Sequence, residues 1–377
     1  MAFLFWFCIG IILYVYFGYP ALLASGFFGR RRSVLKKACE PFVSIIVPAR
    51  NEEKNIVAKL ENLLSLDYPR DRFEILVGND ASTDRTPTLV RDFDSSGVLL
   101  VNSSIRQGKS AMQNALVAQS KGEVLAFTDA DCLLPCDALR RLMENLSDPS
   151  VGLVTNSPVF TNPEASGVVK NEGLYWRYEK WLRQQESDRC LLAMASGSLF
   201  AVRRELWRPL NPNLGDDFVL PLQVVRAGYR NILETRTAAR TFLGQDRPRS
   251  MLGMKMRIIR KDFRGLLMFR NCLNPLKSGR IAIALFSHKL LRWAIPYFMI
   301  GALVANLFLL GDPVYASFFW GQALFYCLAG AGFMLESHEI HSPLSVLSSL
   351  CLVNCAALLG TLGSFSRRSA GQWETVR

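Results

Sequence analysis

Apolar and polar positions follow two different rules along this chain. Residues 1–29 carry no charged side chain, and the same holds for residues 294–311, 313–335 and 342–366. Runs of about 20 apolar residues are long enough to cross a bilayer. Between them the pattern is shorter and more regular. Residues 43–48, 73–77, 98–101 and 124–127 are rich in branched and aromatic side chains and read as buried strands. Each is followed by a stretch with helical spacing, at 52–66, 84–93, 108–120 and 137–146. Strands alternating with helices predict a parallel, doubly wound α/β sheet with ligands outside the carboxyl ends of its strands. Farther along, residues 151–155 and 199–202 read as strands. Residues 172–185, rich in aromatics and cations (Tyr175, Trp176, Tyr178, Trp181), read as a helix, as do 217–227. Residues 251–268 predict a basic amphipathic helix with Arg257, Arg260, Lys261 and Arg264 at one-turn spacings, of the kind that lies on a membrane surface.

The expected organisation is a membrane helix at 1–29, a cytoplasmic catalytic domain at 41–245, interfacial helices at 246–285, a membrane region at 286–366 and a basic tail at 367–377. A secretory signal carries its positive charges ahead of the apolar run and ends at a small-residue cleavage site. Here Arg30, Arg31, Arg32, Lys36 and Lys37 follow the run, which predicts a retained anchor with its following side cytoplasmic. The last apolar stretch contains Ser345, Ser348, Ser349, Asn354 and Thr361 and is followed by Arg367, Arg368 and Arg377. Those cations belong on the cytoplasmic side, so the C-terminal region is expected to hold two spans plus a third segment that either spans or, as the charges favour, lies in the interface or re-enters.

Composition sharpens this reading. Of 377 residues 50% are hydrophobic, and the mean hydropathy of +0.16 is high for a soluble enzyme. The net charge of +12 is accounted for by the membrane-flanking cations, and no zinc-finger, RNA-recognition or basic-zipper pattern points to nucleic acid. The nine cysteines include no Cys-x-x-Cys pair, which predicts reduced thiols and neither zinc site nor disulfide framework. The His338-Glu339-Ile340-His341 stretch brings its second histidine one position too near for a zinc-protease helix and reads as a polar loop.

The candidate chemistry sits at four successive strand ends: Pro48-Ala49-Arg50-Asn51-Glu52-Glu53, Asn79-Asp80-Ala81-Ser82-Thr83-Asp84, Gln107-Gly108-Lys109, and Asp129-Ala130-Asp131. Any one of them alone is a turn or a helix cap. In sequence they describe one ligand lying along a sheet edge. Acids beside a ribose and base, a lysine near a diphosphate and a carboxylate pair on a hard divalent cation suit a nucleotide sugar.

This ordered set resembles the family-2 glycosyltransferases of the GT-A fold, a Rossmann-like nucleotide-sugar-binding domain here flanked by transmembrane helices. More narrowly, it resembles the membrane-embedded cellulose, chitin, hyaluronan and poly-N-acetylglucosamine synthases. The resemblance implies that Glu52 and Asp80 contact the uridine and Lys109 the diphosphate. It also implies that Asp129 binds on the nucleotide side and Asp131 ligates Mg²⁺ or Mn²⁺. Gly215-Asp216-Asp217 resembles the family's acidic motif, with Asp217 as catalytic base and Asp216 its neighbour or the cap of the next helix. Ser196-Gly197-Ser198 resembles the acceptor-side loop. Processive members carry Gln-x-x-Arg-Trp on the helix after the base. Residues 255–265 keep cations, including Arg257 and Arg260, but lack that glutamine and tryptophan. The expected activity is therefore inverting transfer from a nucleotide sugar, UDP-linked by resemblance, to a membrane-near acceptor such as a lipid-linked saccharide or growing polysaccharide. The alternatives are a processive synthase and a non-catalytic, membrane-tethered nucleotide-binding protein. The expected location is the cell's inner or plasma membrane.

Overall fold

The computed structural model describes residues 1–160, 167–241, 248–338, 340 and 342–365. The basic tail with Arg367, Arg368 and Arg377, as well as Glu339 and His341 of the polar loop, lies outside them. The α/β half is built on seven strands: β1 (Val43–Ala49), β2 (Phe73–Asp80), β3 (Val98–Ser103), β4 (Val124–Phe127), β5 (Val151–Asn156), β6 (Phe200–Arg203) and β7 (Arg230–Glu234). Their order across the sheet is β3-β2-β1-β4-β6-β5-β7.

Strand alternation places two cores on the two faces. Val43, Ile45 and Val47 pack with Ile56, Leu60 and Leu63 of helix Ile56–Leu64. Ile46, Leu76, Leu125 and Phe127 face the other way, onto Leu116 of helix Lys109–Gln119 and Phe218 of helix Asp216–Arg226. A sheet covered on both faces needs near-continuous apolar strands, which explains why β1 is buried at every position.

The sheet is mixed, not wholly parallel as its alternating pattern predicts. β1, β2, β3 and β4 run parallel, but β6 is antiparallel to both β4 and β5. β6 enters after a long helix, Gly167–Asp188, and a loop, so its direction is set by packing and not by a short crossover. A stack of Phe127 on Phe200 at 4.9 Å, with Trp207 on the other side at 5.1 Å, fixes this junction. A second small sheet joins Cys132–Leu133 to Arg240–Thr241, and so pins the chain just beyond the carboxylate pair.

Four helices are long and apolar enough to cross a membrane: Ala2–Ala24, Arg280–Leu307, Pro313–Leu335 and Ser345–Ser364. The first packs along the second, with Phe5 and Cys8 against Ala302 and Ala305. Ser345–Ser364 is one continuous helix of 20 residues, long and apolar enough to cross a membrane. Its polar side chains are satisfied within the helix bundle: Ser348 Oγ donates to Ala329 O at 2.8 Å and Tyr297 pairs with Thr361 Oγ1 at 2.8 Å. Such bonding lets serine and threonine sit in a membrane helix at low cost.

Candidate active site

The four strand-end segments are laced into one rim. Asn51, in the left-handed region at φ 53°, and Ala81, at φ 52°, turn the chain after β1 and β2. The two turns lock together, since Asn51 N–H donates to Ser82 Oγ at 3.0 Å and Glu53 N–H to Asp84 Oδ2 at 3.2 Å. Asp80 joins the second segment to the third. Its Oδ1 and Oδ2 accept from the backbone N–H of Gln107 (2.7 Å) and Gly108 (2.9 Å). Gly108 has φ 94°, a conformation that favours glycine, and it opens the helix bearing Lys109. Lys109 joins the third segment to the fourth: its Nζ lies 2.8 Å from Asp129 Oδ1 and 3.3 Å from Asp216 Oδ2.

The carboxylate pair is held from below by an unexpected residue. Lys59 is fully buried, and its Nζ donates to Thr128 Oγ1 at 2.8 Å and Cys132 O at 2.6 Å. A buried ammonium is tolerated only when it is hydrogen-bonded, and burial pulls its pKa down to about 8. Thr128 Oγ1 in turn donates to Ser198 O at 2.7 Å, which ties the carboxylate turn to the loop carrying Gly197. A Cβ on Gly197 would stand 3.0 Å from Asp129 Oδ2, so the bare backbone leaves the carboxylate accessible. Ligand atoms of Asp129, Asp131 and Cys132 lie within 4.8 Å of one another. The two carboxylates suit a hard cation such as Mg²⁺ or Mn²⁺, and the thiol does not.

The second cluster is centred on Gly215-Asp216-Asp217. Gly215, not Asp216, occupies the helix N-cap. The Asp216 carboxylate points back to accept from Gln113 Nε2 at 2.7 Å and to pair with Lys109. Although burial opposes it, Lys109 and Gln113 hold the Asp216 carboxyl below the ordinary range. Asp217 behaves oppositely: burial and then the adjacent Asp216 charge push its pKa up. The backbone of Asp217 is fixed by Ala195 N–H, which donates to its carbonyl at 2.7 Å.

One acid in this cluster went unassigned in the sequence reading. Asp262 is the sole acid in the basic helix Pro248–Met268. Its Oδ1 would lie 3.1 Å from a Cβ on Gly215, and Asp217 Oδ1 would lie 3.0 Å from the same point. Burial first and Asp217 second raise its pKa to about 8. In the folded chain Asp262 stays protonated between about pH 4 and 8, where the unfolded chain has released the proton. The native state binds more protons there, so stability falls as pH rises through that window. Asp262→Asn is therefore expected to flatten the fall in thermal midpoint between pH 5 and 8, measured by scanning fluorimetry. An unchanged slope would contradict this placement.

Glu52, Lys109, Asp129, Asp131, Gly197, Asp216, Asp217 and Arg257 line one cavity of about 1970 Å³. Glu52 is nearly buried, with burial and then the nearby acids raising its pKa to about 7. Two of the expected site residues stand apart. Asp80 does not line the cavity; it shapes the loop that presents Lys109. Arg260 is turned away, packed against Gly363 of the last helix.

A mixed sheet with an Asp-x-Asp turn at its carboxyl edge is the arrangement of the GT-A fold. Residues 44–209 match the sequence profile of Glycosyl transferase family 2. The chain carries a family-2 glycosyltransferase domain. The beta-monoglucosyldiacylglycerol synthase of Nostoc sp. is 30% identical over 169 residues, 44% of this chain and 36% of that protein. The poly-beta-1,6-N-acetyl-D-glucosamine synthase of Staphylococcus epidermidis is 30% identical over 122 residues, 32% of this chain and 29% of the other. The chain thus spans well under half the length of either relative. Among solved structures, the mannosyltransferase PcManGT from Pyrobaculum calidifontis in complex with GDP-Man and Mn²⁺ has a TM-score of 0.73. It is 24% identical, with 97% of this chain and 99% of that one covered, so the common fold extends through the long apolar helices.

Proposed function

We propose that the chain is an inverting, metal-dependent glycosyltransferase that moves a sugar from a nucleotide-sugar donor, UDP-linked, to the hydroxyl of an acceptor held at the membrane. The observation that carries this reading is Lys109. It joins Asp129 of the carboxylate pair to Asp216 beside Asp217, so the donor-side and acceptor-side acids share one cavity. Asp129 and Asp131 would hold Mg²⁺ or Mn²⁺, which when bound supplies Lewis-acid stabilisation of the leaving diphosphate. Glu52 faces the nucleoside end of the cavity and Lys109 the diphosphate. Asp217 accepts the proton of the acceptor hydroxyl as that oxygen attacks the anomeric carbon; its raised pKa improves it as a base near neutral pH. Gly197 lets the sugar approach the backbone, and Arg257 adds positive charge on the side of the departing diphosphate.

The related synthases support a polysaccharide or a glycolipid as product. Among the described residues, the helix Pro248–Met268 lends Arg257, Lys261 and Asp262 but no aromatic side chain to the cavity, whose aromatic lining (Trp176, Phe218 and Trp293 among it) comes from other elements. A helix without the tryptophan of the processive members favours one or a few additions over polymerisation. The catalytic domain at 41–245 is placed on the cytoplasmic side, following the cations that succeed the first helix. A single displacement makes a β-linkage from an α-linked donor. The anomeric proton of the product, read by NMR, is expected to show the β configuration. An α product would overturn the single-displacement scheme.

A further inference from the structure

The cavity does not end at the carboxylates. Beyond Asp217 and Asp262 it continues between the first helix and the helices Arg280–Leu307, Pro313–Ser337 and Ser345–Ser364. Ile9, Ile12, Phe17, Met299, Phe325 and Val353 form walls of this arm. Among the described residues, no charged side chain lines it past Arg292 on one side, or within the first helix on the other. Its neutral polar side chains are mostly occupied elsewhere. Gln322 Nε2 donates to Met299 O at 3.0 Å and to Tyr326 Oη at 2.9 Å. Asn354 Nδ2, Ser349 Oγ and Ser317 Oγ each donate to a carbonyl one turn earlier in their own helix. A sugar strand in such a passage would find few partners for its hydroxyls, and an unpaired polar group there is costly. A hydrocarbon chain needs none and gains from burial.

We propose that this arm holds the hydrocarbon chain of the acceptor, a long-chain lipid with a hydroxyl on its head group. The arm and Asp217 line one continuous cavity, so a lipid seated in the arm delivers its head to the base while its chain remains among the apolar helices. The assignment rests on the glycosyltransferase reading for its acceptor chemistry, but the arm itself can be probed without transfer.

Gly321 lines the arm, and a Cβ there meets nothing within 4 Å; Gly330, on the same helix, is equally open but lies outside the arm. Gly321→Trp therefore fills the passage without a backbone clash, and Gly330→Trp is its matched control. The probe is hexadecanol bearing a diazirine at its chain end, photolysed with the purified full chain in nanodiscs and mapped by peptide mass. Labelling is expected at Phe325 and Val353, reduced by excess plain hexadecanol and at least several-fold by Gly321→Trp, but unchanged by Gly330→Trp and by Asp217→Asn. Equal labelling of the arm and of the exposed Phe3, or no effect of Gly321→Trp, would overturn the proposal. In transfer assays with a membrane lipid extract, Gly321→Trp is expected to lose lipid glycosylation while slow release of nucleotide to water persists. Full lipid glycosylation by this variant would also overturn it. If the wild type transfers no sugar while the arm still labels, the functional reading fails and the hydrocarbon site stands.

Discussion

Asp217→Asn is expected to lower sugar transfer by about 10²–10⁴-fold, the usual range for loss of a general base, with donor affinity unchanged. The asparagine keeps the shape of the side chain, and the Asp217 carbonyl still receives Ala195 N–H, so the loop carrying Gly197 stays in place. What is lost is a proton acceptor whose affinity for protons is raised by burial and by the Asp216 charge. The same shift places the acidic limb of the wild-type pH–rate profile above the ordinary carboxylate range, with activity rising as Asp217 deprotonates. Rate assays and calorimetric donor titration measure the two halves of this expectation. Normal transfer by the variant would remove Asp217 from the mechanism and leave Asp262 as the remaining acid at that wall.

Asp131→Asn is expected to act on the other side of the reaction. It leaves Asp129 as the single carboxylate of the pair, and Asp129 is already engaged by Lys109 at 2.8 Å. Loss of Lewis-acid assistance worth several kcal/mol corresponds to roughly a 10²–10³-fold fall in rate. Unlike Asp217→Asn, this variant should also bind the nucleotide sugar more weakly in Mn²⁺, and excess metal should restore part of the loss. Equal donor binding by wild type and variant in Mn²⁺ would contradict a metal–diphosphate role for Asp131.

Much of the catalytic half was legible because its signals are local. The runs at 43–48, 73–77 and 124–127 are apolar except at Ser44 and Glu74, as doubly covered strands nearly must be, and each ends in polar residues that reach the sheet edge. The direction of β6 was not legible, since nothing in Phe200–Arg203 records which neighbour it pairs with. Asp80 shows the same limit at the level of a side chain. Its place after β2 is local, but the two backbone N–H groups that occupy its oxygens come from the far end of β3. Lys59 reads as one more helix lysine until folding buries it beneath the carboxylate turn. Asp262 left a faint trace, as a lone acid among cations, but its meaning depends on Asp217, which folding brings beside it. The partners of the polar residues in Ser345–Ser364, such as Ala329 O and Tyr297, belong to other helices and are not readable from the stretch itself.

The most direct test of a family-2 transferase acting on a membrane-held acceptor is a donor screen on the purified full chain. UDP- and GDP-sugars are supplied with Mn²⁺ and a native membrane lipid extract, and both released nucleotide and product mass are read. One donor is expected to give nucleotide release matched by a lipid-extractable product one sugar heavier, abolished by chelation of the metal. Nucleotide binding with no mass increment on any acceptor would contradict the account and leave a membrane-tethered nucleotide-binding protein.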